Sequence, residues 1–244
     1  MKMIKDFHTH TIYSDGKGTI EDNIKAAIKK GLKTIAISDH GPGHLGFGIK
    51  TKNIQVARNE IDELKHKYPE IEILYAIEAN ILGLDGTIDV YDEYKDYYDL
   101  ILCGYHFGSN PKRLFRDGEI HFLNFLYKFT KVFEKRTKSL NTESICRAIE
   151  NNRIDILTHP GAKGPVDILQ IAKAAEKKGT LLEINNSHGY LTEDEIRICM
   201  ETDVGFVIGS DAHRPKNVGG FEIALEKAQN VGLDLKRIVN ISEE

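Results

Sequence analysis

Seven short runs rich in aliphatic and β-branched residues punctuate the chain, and stretches of helical spacing separate them. The runs are Met3–Phe7, Lys33–Ser38, Ile71–Ile77, Asp99–Gly104, Ile154–Thr158, Thr180–Ile184 and Val204–Gly209. After the first run, Ile20, Ile24, Ala27 and Ile28 fall on one helical face. Thr19 and Asp22 stand in capping-box positions there, and Gly31 ends the segment. Ile54, Ala57, Ile61 and Leu64 make the next stripe, in a helix over Asn53–Lys67 that Pro69 closes. Further helices are expected over Val166–Lys178, after the cap Thr192-x-x-Glu195, and over Phe221–Asn230. The acidic, tyrosine-rich Asp89–Tyr98 reads as a short surface helix. Strands alternating with helices build a parallel sheet with helices outside it. Seven units in 244 residues, with no composition break or low-complexity linker, predict one domain over residues 1–244. A closed or nearly closed α/β barrel is expected first, an open doubly wound sheet second. No Gly-x-Gly-x-x-Gly follows the first run, which counts against a dinucleotide fold.

One connection is out of scale. Residues 107–152 hold a loop, Ser109–Gly118, and two expected helices, about Ile120–Lys138 and Thr142–Asn151. A connection this long in a compact pattern points to function rather than packing. It carries Arg113 and Arg116, and a guanidinium is a natural phosphate partner.

The chemistry gathers where the runs end. His8-Thr9-His10 closes the first, and residues two apart on an extended strand share a face, so both imidazoles reach one point. Asp15 follows in an Asp-Gly turn. His40, Glu78, His106, His159, Asp211 and His213 then appear at the ends of later runs. In a parallel barrel the active site lies at the C-terminal ends of the strands. Six imidazoles and up to three carboxylates exceed what one tetrahedral zinc takes, and suit two or three divalent ions with Glu78 as a bridge. Mixed imidazole and carboxylate donors fit zinc, manganese or iron alike. Clustered ions activate a bridging hydroxide and clamp an anionic oxygen, which is chemistry for hydrolysing a phosphate ester.

His8-Thr9-His10 with Asp15, Ser38-Asp39-His40, Glu78, His106, His159-Pro160 and Gly209-Ser210-Asp211-Ala212-His213 resemble the PHP superfamily, named for polymerase and histidinol phosphatase. The resemblance runs from Asp6 to Pro215. It implies a distorted (β/α)7 TIM-like barrel with a trinuclear metal centre. Carried over residue by residue, one ion would take His8, His10, Glu78 and Asp211; a second Asp15, His40 and His213; a third Glu78, His106 and His159. Asp15 stands where stand-alone members often carry a histidine. The run Leu182-Glu183-Ile184-Asn185-Asn186-Ser187 resembles the stand-alone phosphatase-like members. The expected activity is a metal-dependent phosphomonoesterase in the manner of histidinol-phosphate phosphatase, acting on a small-molecule phosphate ester. Glu78, Asp211 and His213 are the catalytic candidates, and Arg113, Arg116 and Arg214 the substrate-binding ones. The alternatives are a nuclease or nucleotide phosphodiesterase, and a metal-binding module without activity. An amidohydrolase lacks the lysine that would be carboxylated at the fourth strand end.

Charge and composition narrow the partners. A formal net charge of −4 argues against long nucleic acid. No stretch approaches a membrane span of about 18 apolar residues, and the N-terminus lacks a signal-peptide core. Cys103, Cys146 and Cys199 stand far apart and read as reduced, buried or half-buried thiols of a cytoplasmic protein. His44 and His188 fall on loops at the site's end and could face substrate or solvent. His66 and His121 fall on helices as surface residues, and Gly41–Gly48 reads as a mobile lip.

Overall fold

The structure is a computed structural model that describes residues 2–111 and 113–242; the side chains of residues 114–116 also lie outside what it describes. The chain opens on β1 (Lys2–Met3) and ends on β9 (Ile241–Ser242), which pair antiparallel. Between them lie β2 (Lys5–Asp6), β3 (Thr34–Ile37), β4 (Glu72–Asn80), β5 (Leu100–Gly104), β6 (Ile156–Leu157), β7 (Leu181–Asn185) and β8 (Phe206–Gly209). These form one parallel 7-stranded sheet in chain order. Helices α1 (Ile20–Lys30), α2 (Thr51–Lys67), α3 (Leu114–Thr130), α4 (Glu134–Asn151), α5 (Ile168–Lys178), α6 (Glu193–Cys199) and α7 (Glu222–Asn230) cover its outer face. This is the expected (β/α)7 TIM-like barrel, and its seam explains its distortion. The edge strands β2 and β8 meet through one parallel bridge, Thr9 to Ala212, past their C-terminal ends. His10 N donates to Ala212 O at 2.9 Å and Ala212 N to His8 O at 3.2 Å. Below that bridge Asn240 fills the gap, its amide donating to Lys5 O and Ile208 O while its oxygen accepts from Ile208 N.

Strand alternation divides the core in two. Inside the barrel pack Ala36, Ala76, Leu102, Ile156 and Val207. Ile35, Ile37, Ile73, Tyr75 and Ile77 point the other way, into the larger core against the helices. The inward rows then run upward into polar residues. Leu74 and Ala76 continue as Glu78 and Asn80, and Leu181 continues as Glu183 and Asn185; all four polar residues are fully buried.

Several local expectations change. The first run is not one strand: Ile4 N donates to Asn240 O, so the chain changes partner between β1 and β2. β4 runs on to Asn80, which puts Glu78 inside the strand rather than after it. Asp89–Tyr98 holds only a 3₁₀ turn, Lys95–Tyr97, with Asp89 and Tyr98 buried. Asp89 is needed inside, where its carboxylate accepts from Asn80 N, Asn80 Nδ2 and Gly43 N. In the long connection α3 begins at Leu114, and the turn to α4 comes at 131–133 rather than after Lys138. Paired amides set that position. Asn124 and Asn141 exchange two hydrogen bonds of 2.7 and 2.9 Å across the two helices, so the turn falls midway between them.

Candidate metal centre

The seam brings the first and last strand ends together, and with them His8, His10, Asp211 and His213. The inward row of β4 adds Glu78, and the turns after β3, β5 and β6 add His40, His106 and His159. Side-chain donors here form three groups whose atoms lie within 4.8 Å of one another: His8, His10 and Asp211; His10, Asp15, His40 and His213; and His40, Glu78 and His106. All nine residues expected as ligands therefore converge, His159 through Glu78. Glu78 is the centre of the arrangement. Its Oε1 lies 3.4 Å from His8 Nε2, 3.3 Å from His106 Nε2 and 2.9 Å from His159 Nε2. Its Oε2 lies 2.9 Å from His40 Nδ1 and 3.7 Å from His10 Nε2.

These contacts are close without being hydrogen bonds in most cases. His8 Nε2, both nitrogens of His10, His40 Nδ1, Asp15 Oδ1 and Glu78 Oε2 are buried and have no hydrogen-bond partner. Buried polar atoms left in that state cost free energy unless something else satisfies them. His106 Nε2 and His159 Nε2 also face each other at 3.3 Å. The outer nitrogens, by contrast, are well held. His8 Nδ1 pairs with Glu183 Oε1 at 2.6 Å, and His106 Nδ1 with Asn80 Oδ1 at 2.9 Å. An imidazole whose far N–H meets a carboxylate or carbonyl turns its other nitrogen inward as a donor to metal. The residues present thus fit divalent ions.

Electrostatics agree. Burial pushes the Glu78 carboxyl up, but His106, His8 and His40 outweigh it and hold it well below the usual range. Asp211 is likewise buried, and His8 and His10 keep it well below its ordinary value. Burial and the neighbouring His40 push His10 down to about 3, and burial pushes His106 down to about 3. His213 moves the other way: against burial, its contact with Asp15 raises it to about 9. The backbone is strained at two of these positions. His159 has φ 28° and Asp211 φ 51°, left-handed values that favour glycine. Such strain collects at functional sites, where the surrounding structure imposes it.

The groups open into a cavity of about 450 Å³, lined among others by His44, Phe47, Phe107, Lys163 and His188. His44 faces it, but its nitrogens are taken: Nε2 donates to Phe107 O at 2.8 Å and Nδ1 accepts from Phe47 N at 3.0 Å. His188 Nε2 lies 3.2 Å from Asp211 Oδ2. The Gly41–Gly48 lip is tied down at Gly43 by Asp89. Two of the three expected arginines are elsewhere. Arg113 pairs with Asp85 at 2.9 Å and Asp117 at 3.3 Å, Arg214 is exposed, and neither lines the cavity. The side chain of Arg116 lies outside the described residues. Of the remaining histidines, His66 is exposed, while His121 is half-buried against the Tyr105 hydroxyl at 2.9 Å. The cysteines are free, Cys103 and Cys199 buried and Cys146 half-buried. Among the described residues no helix is long and apolar enough to cross a membrane.

Sequence reasoning passed over Glu183, although its Oε2 also accepts from His159 N and Asn185 Nδ2, both at 2.9 Å. The signal was present as a carboxylate two residues beyond an inward leucine in Leu181-Leu182-Glu183-Ile184-Asn185. Lys163 was passed over as well, since its Gly-Ala-Lys-Gly loop has no spacing that marks it.

Comparison with known proteins gives the same direction. The family model of the PHP domain matches residues 6–187. A protein of Shewanella frigidimarina named probable phosphatase is 32% identical, across 100% of this chain and 91% of its own length. One of Shewanella loihica, also named probable phosphatase, is 31% identical over 99% and 91%. Among solved structures, a candidate histidinol phosphatase of Listeria monocytogenes superposes with a TM-score of 0.69 at 19% identity, covering 88% of this chain and 97% of that one. The histidinol phosphate phosphatase of Lactococcus lactis, complexed with zinc, L-histidinol and phosphate, gives 0.62 at 14% identity, covering 96% and 95%. The barrel, the strand-end donors and these full-length matches lead to one conclusion: the chain belongs to the PHP domain family.

Proposed function

We propose that this protein is a metal-dependent phosphatase that hydrolyses a small phosphate monoester at a centre of two or three divalent ions. The observation that carries the reading is Glu78, one buried carboxylate facing five imidazoles, several of whose inward nitrogens have no hydrogen-bond partner. His8, His10, Glu78 and Asp211 would hold one ion, Asp15, His40 and His213 a second, and Glu78, His106 and His159 a third. Zinc, manganese or iron bound there would activate a water for attack on phosphorus and offset the charge on the phosphate oxygens. The chain's own groups prepare that chemistry. Glu78 and Asp211 stay ionised, His10 and His106 stay neutral, and both nitrogens of His10 lack a hydrogen-bond partner. His213 lines the cavity with its Nε2 3.3 Å from Asp15 Oδ2, so the two are held together as a pair of donors for the second ion. Lys163 lines the cavity, where its ammonium would meet a phosphate oxygen of the substrate.

The relatives named probable phosphatase, aligned over the whole chain, support the reaction class. The test is elemental analysis of protein loaded with zinc or manganese, paired with a phosphomonoester and phosphodiester screen before and after chelation. Two or three ions per chain, with monoester turnover lost on chelation and restored by metal, is the expected result. One ion or fewer would remove the multinuclear centre, and diester turnover alone would favour the phosphodiesterase reading.

A further inference from the structure

The cavity above the donor groups does not end at them. Lys163 and Phe107 line it and also line a second groove of about 650 Å³, between the α3–α4 turn and the loop that follows β6. Four lysines, Lys128, Lys131, Lys138 and Lys163, stand along this groove against two glutamates, Glu134 and Glu195. Glu195 is already engaged, its carboxylate accepting from Thr192 N and Oγ1 as a helix cap. Among the described residues none of the four lysines is in an ion pair. Lys131 instead lies over the Tyr127 ring, 3.9 Å from its centroid. The turn that carries Lys131 is built at a cost, because Lys131 and Phe133 both adopt positive φ, 54° and 63°. A cleft lined with one sign of charge concentrates ligands of the other sign by roughly 10–10³-fold.

We infer that this groove receives the leaving group of the substrate, and that the leaving group carries its own negative charge, distal to the ester. The inference rests on the phosphatase reading and narrows it. The phosphate sits over the donor groups, Lys163 stands at the junction, and the remainder of the substrate runs toward Lys131 and Lys138. A phosphorylated sugar acid has this form. A cationic leaving group such as L-histidinol, the amine bound in the Lactococcus structure, meets four ammonium groups against two carboxylates and is disfavoured.

Two open-chain substrates of equal length isolate the distal charge: 6-phosphogluconate, which ends in a carboxylate, and sorbitol 6-phosphate, which ends in a hydroxyl. With metal-loaded protein, kcat/KM is expected to be at least 10-fold higher for the acid, mainly through KM. It should be lower still for histidinol phosphate. In the triple variant Lys128→Gln, Lys131→Gln, Lys138→Gln the preference for the acid should fall below threefold, chiefly through a rise in KM for the acid. Equal kcat/KM for the two substrates in the native protein, or a preference that survives in the triple variant, overturns the inference. If neither compound is hydrolysed, the phosphatase reading is decided by the monoester screen above, and calorimetric titration with 6-phosphogluconate decides about the groove. Binding at least 10-fold tighter than sorbitol 6-phosphate and lost in the triple variant supports it; equal binding overturns it.

Discussion

Replacing Glu183 by Gln tests whether the donor groups are ligands held by an outer layer, or only a buried polar network. Glu183 is in none of the three donor groups. Its Oε1 accepts from His8 Nδ1 at 2.6 Å, and its Oε2 from His159 N and Asn185 Nδ2, each at 2.9 Å. A glutamine keeps one carbonyl oxygen for three donors and turns its own NH2 toward at least one of them. A hydrogen bond to a charged group contributes about 1.5–3 kcal/mol and a neutral one about 0.5–1.5, and a buried donor left unmatched costs about 1–3 kcal/mol. The His8 ring is then oriented less firmly and is a poorer donor. Loss of such an outer partner typically weakens metal binding by about 10–100-fold, or about 1.4–2.7 kcal/mol. Zinc affinity measured by competition with a chromophoric chelator should fall by that factor, and phosphatase activity at limiting zinc should fall with it. The metal-free protein should also melt a few degrees lower, at roughly 2–4 °C per kcal/mol for a chain of this size. The two readouts separate the roles. If Glu183→Gln lowers the melting temperature but leaves zinc affinity within threefold of the native value, Glu183 serves the fold alone and the argument for oriented ligands fails.

Two further outcomes follow from the same geometry. Gly209 has no room for a side chain: a Cβ there would sit 1.9 Å from Glu183 Oε1 and 3.2 Å from His8 Cβ. Gly209→Ala should therefore reduce bound metal by at least one ion per chain while circular dichroism still reports a folded barrel, and full metal content would refute the crowding. Arg113→Ala should leave KM and kcat within twofold of native values, because its guanidinium is engaged by Asp85 and Asp117 outside the cavity. Its partly exposed pair with Asp85 contributes about 1 kcal/mol at most, and buried Asp117 keeps its hydrogen bonds from Leu84 N and the backbone N of residue 113, so the melting temperature should drop by roughly 2–4 °C; a large rise in KM would put the arginine back into substrate binding.

What the sequence made legible is the part governed by short periods. Alternating runs and capped helices led to the seven-unit barrel, and a histidine or acid at run after run led to the donor groups. That worked because a parallel strand's end is fixed by local signals, and the barrel brings all such ends to one face. Glu183 and Asn80 were harder to read. Each sits inside a strand, and whether its side chain points to the barrel interior or to the helices depends on register, which a single strand does not reveal. Here the inward row of β4 carries Leu74, Ala76, Glu78 and Asn80, so the ligand candidate and the residue orienting His106 follow from one alternation, once its phase is known. Arg113 failed to reach the cavity for a different reason. Its sequence position, just after His106, placed it near the site along the chain, but Asp117 one helical turn on and Asp85 across the connection bind it first. Lys163 reached the cavity from the neighbouring loop, after β6, where nothing in its neighbours along the chain marks it. Donor groups fixed by strand ends were thus readable, while the charges that meet the substrate depend on how loops from separate strands fold over the mouth. For that reason the family's chemistry can be read along the chain, but its choice of substrate needs the assembled surface.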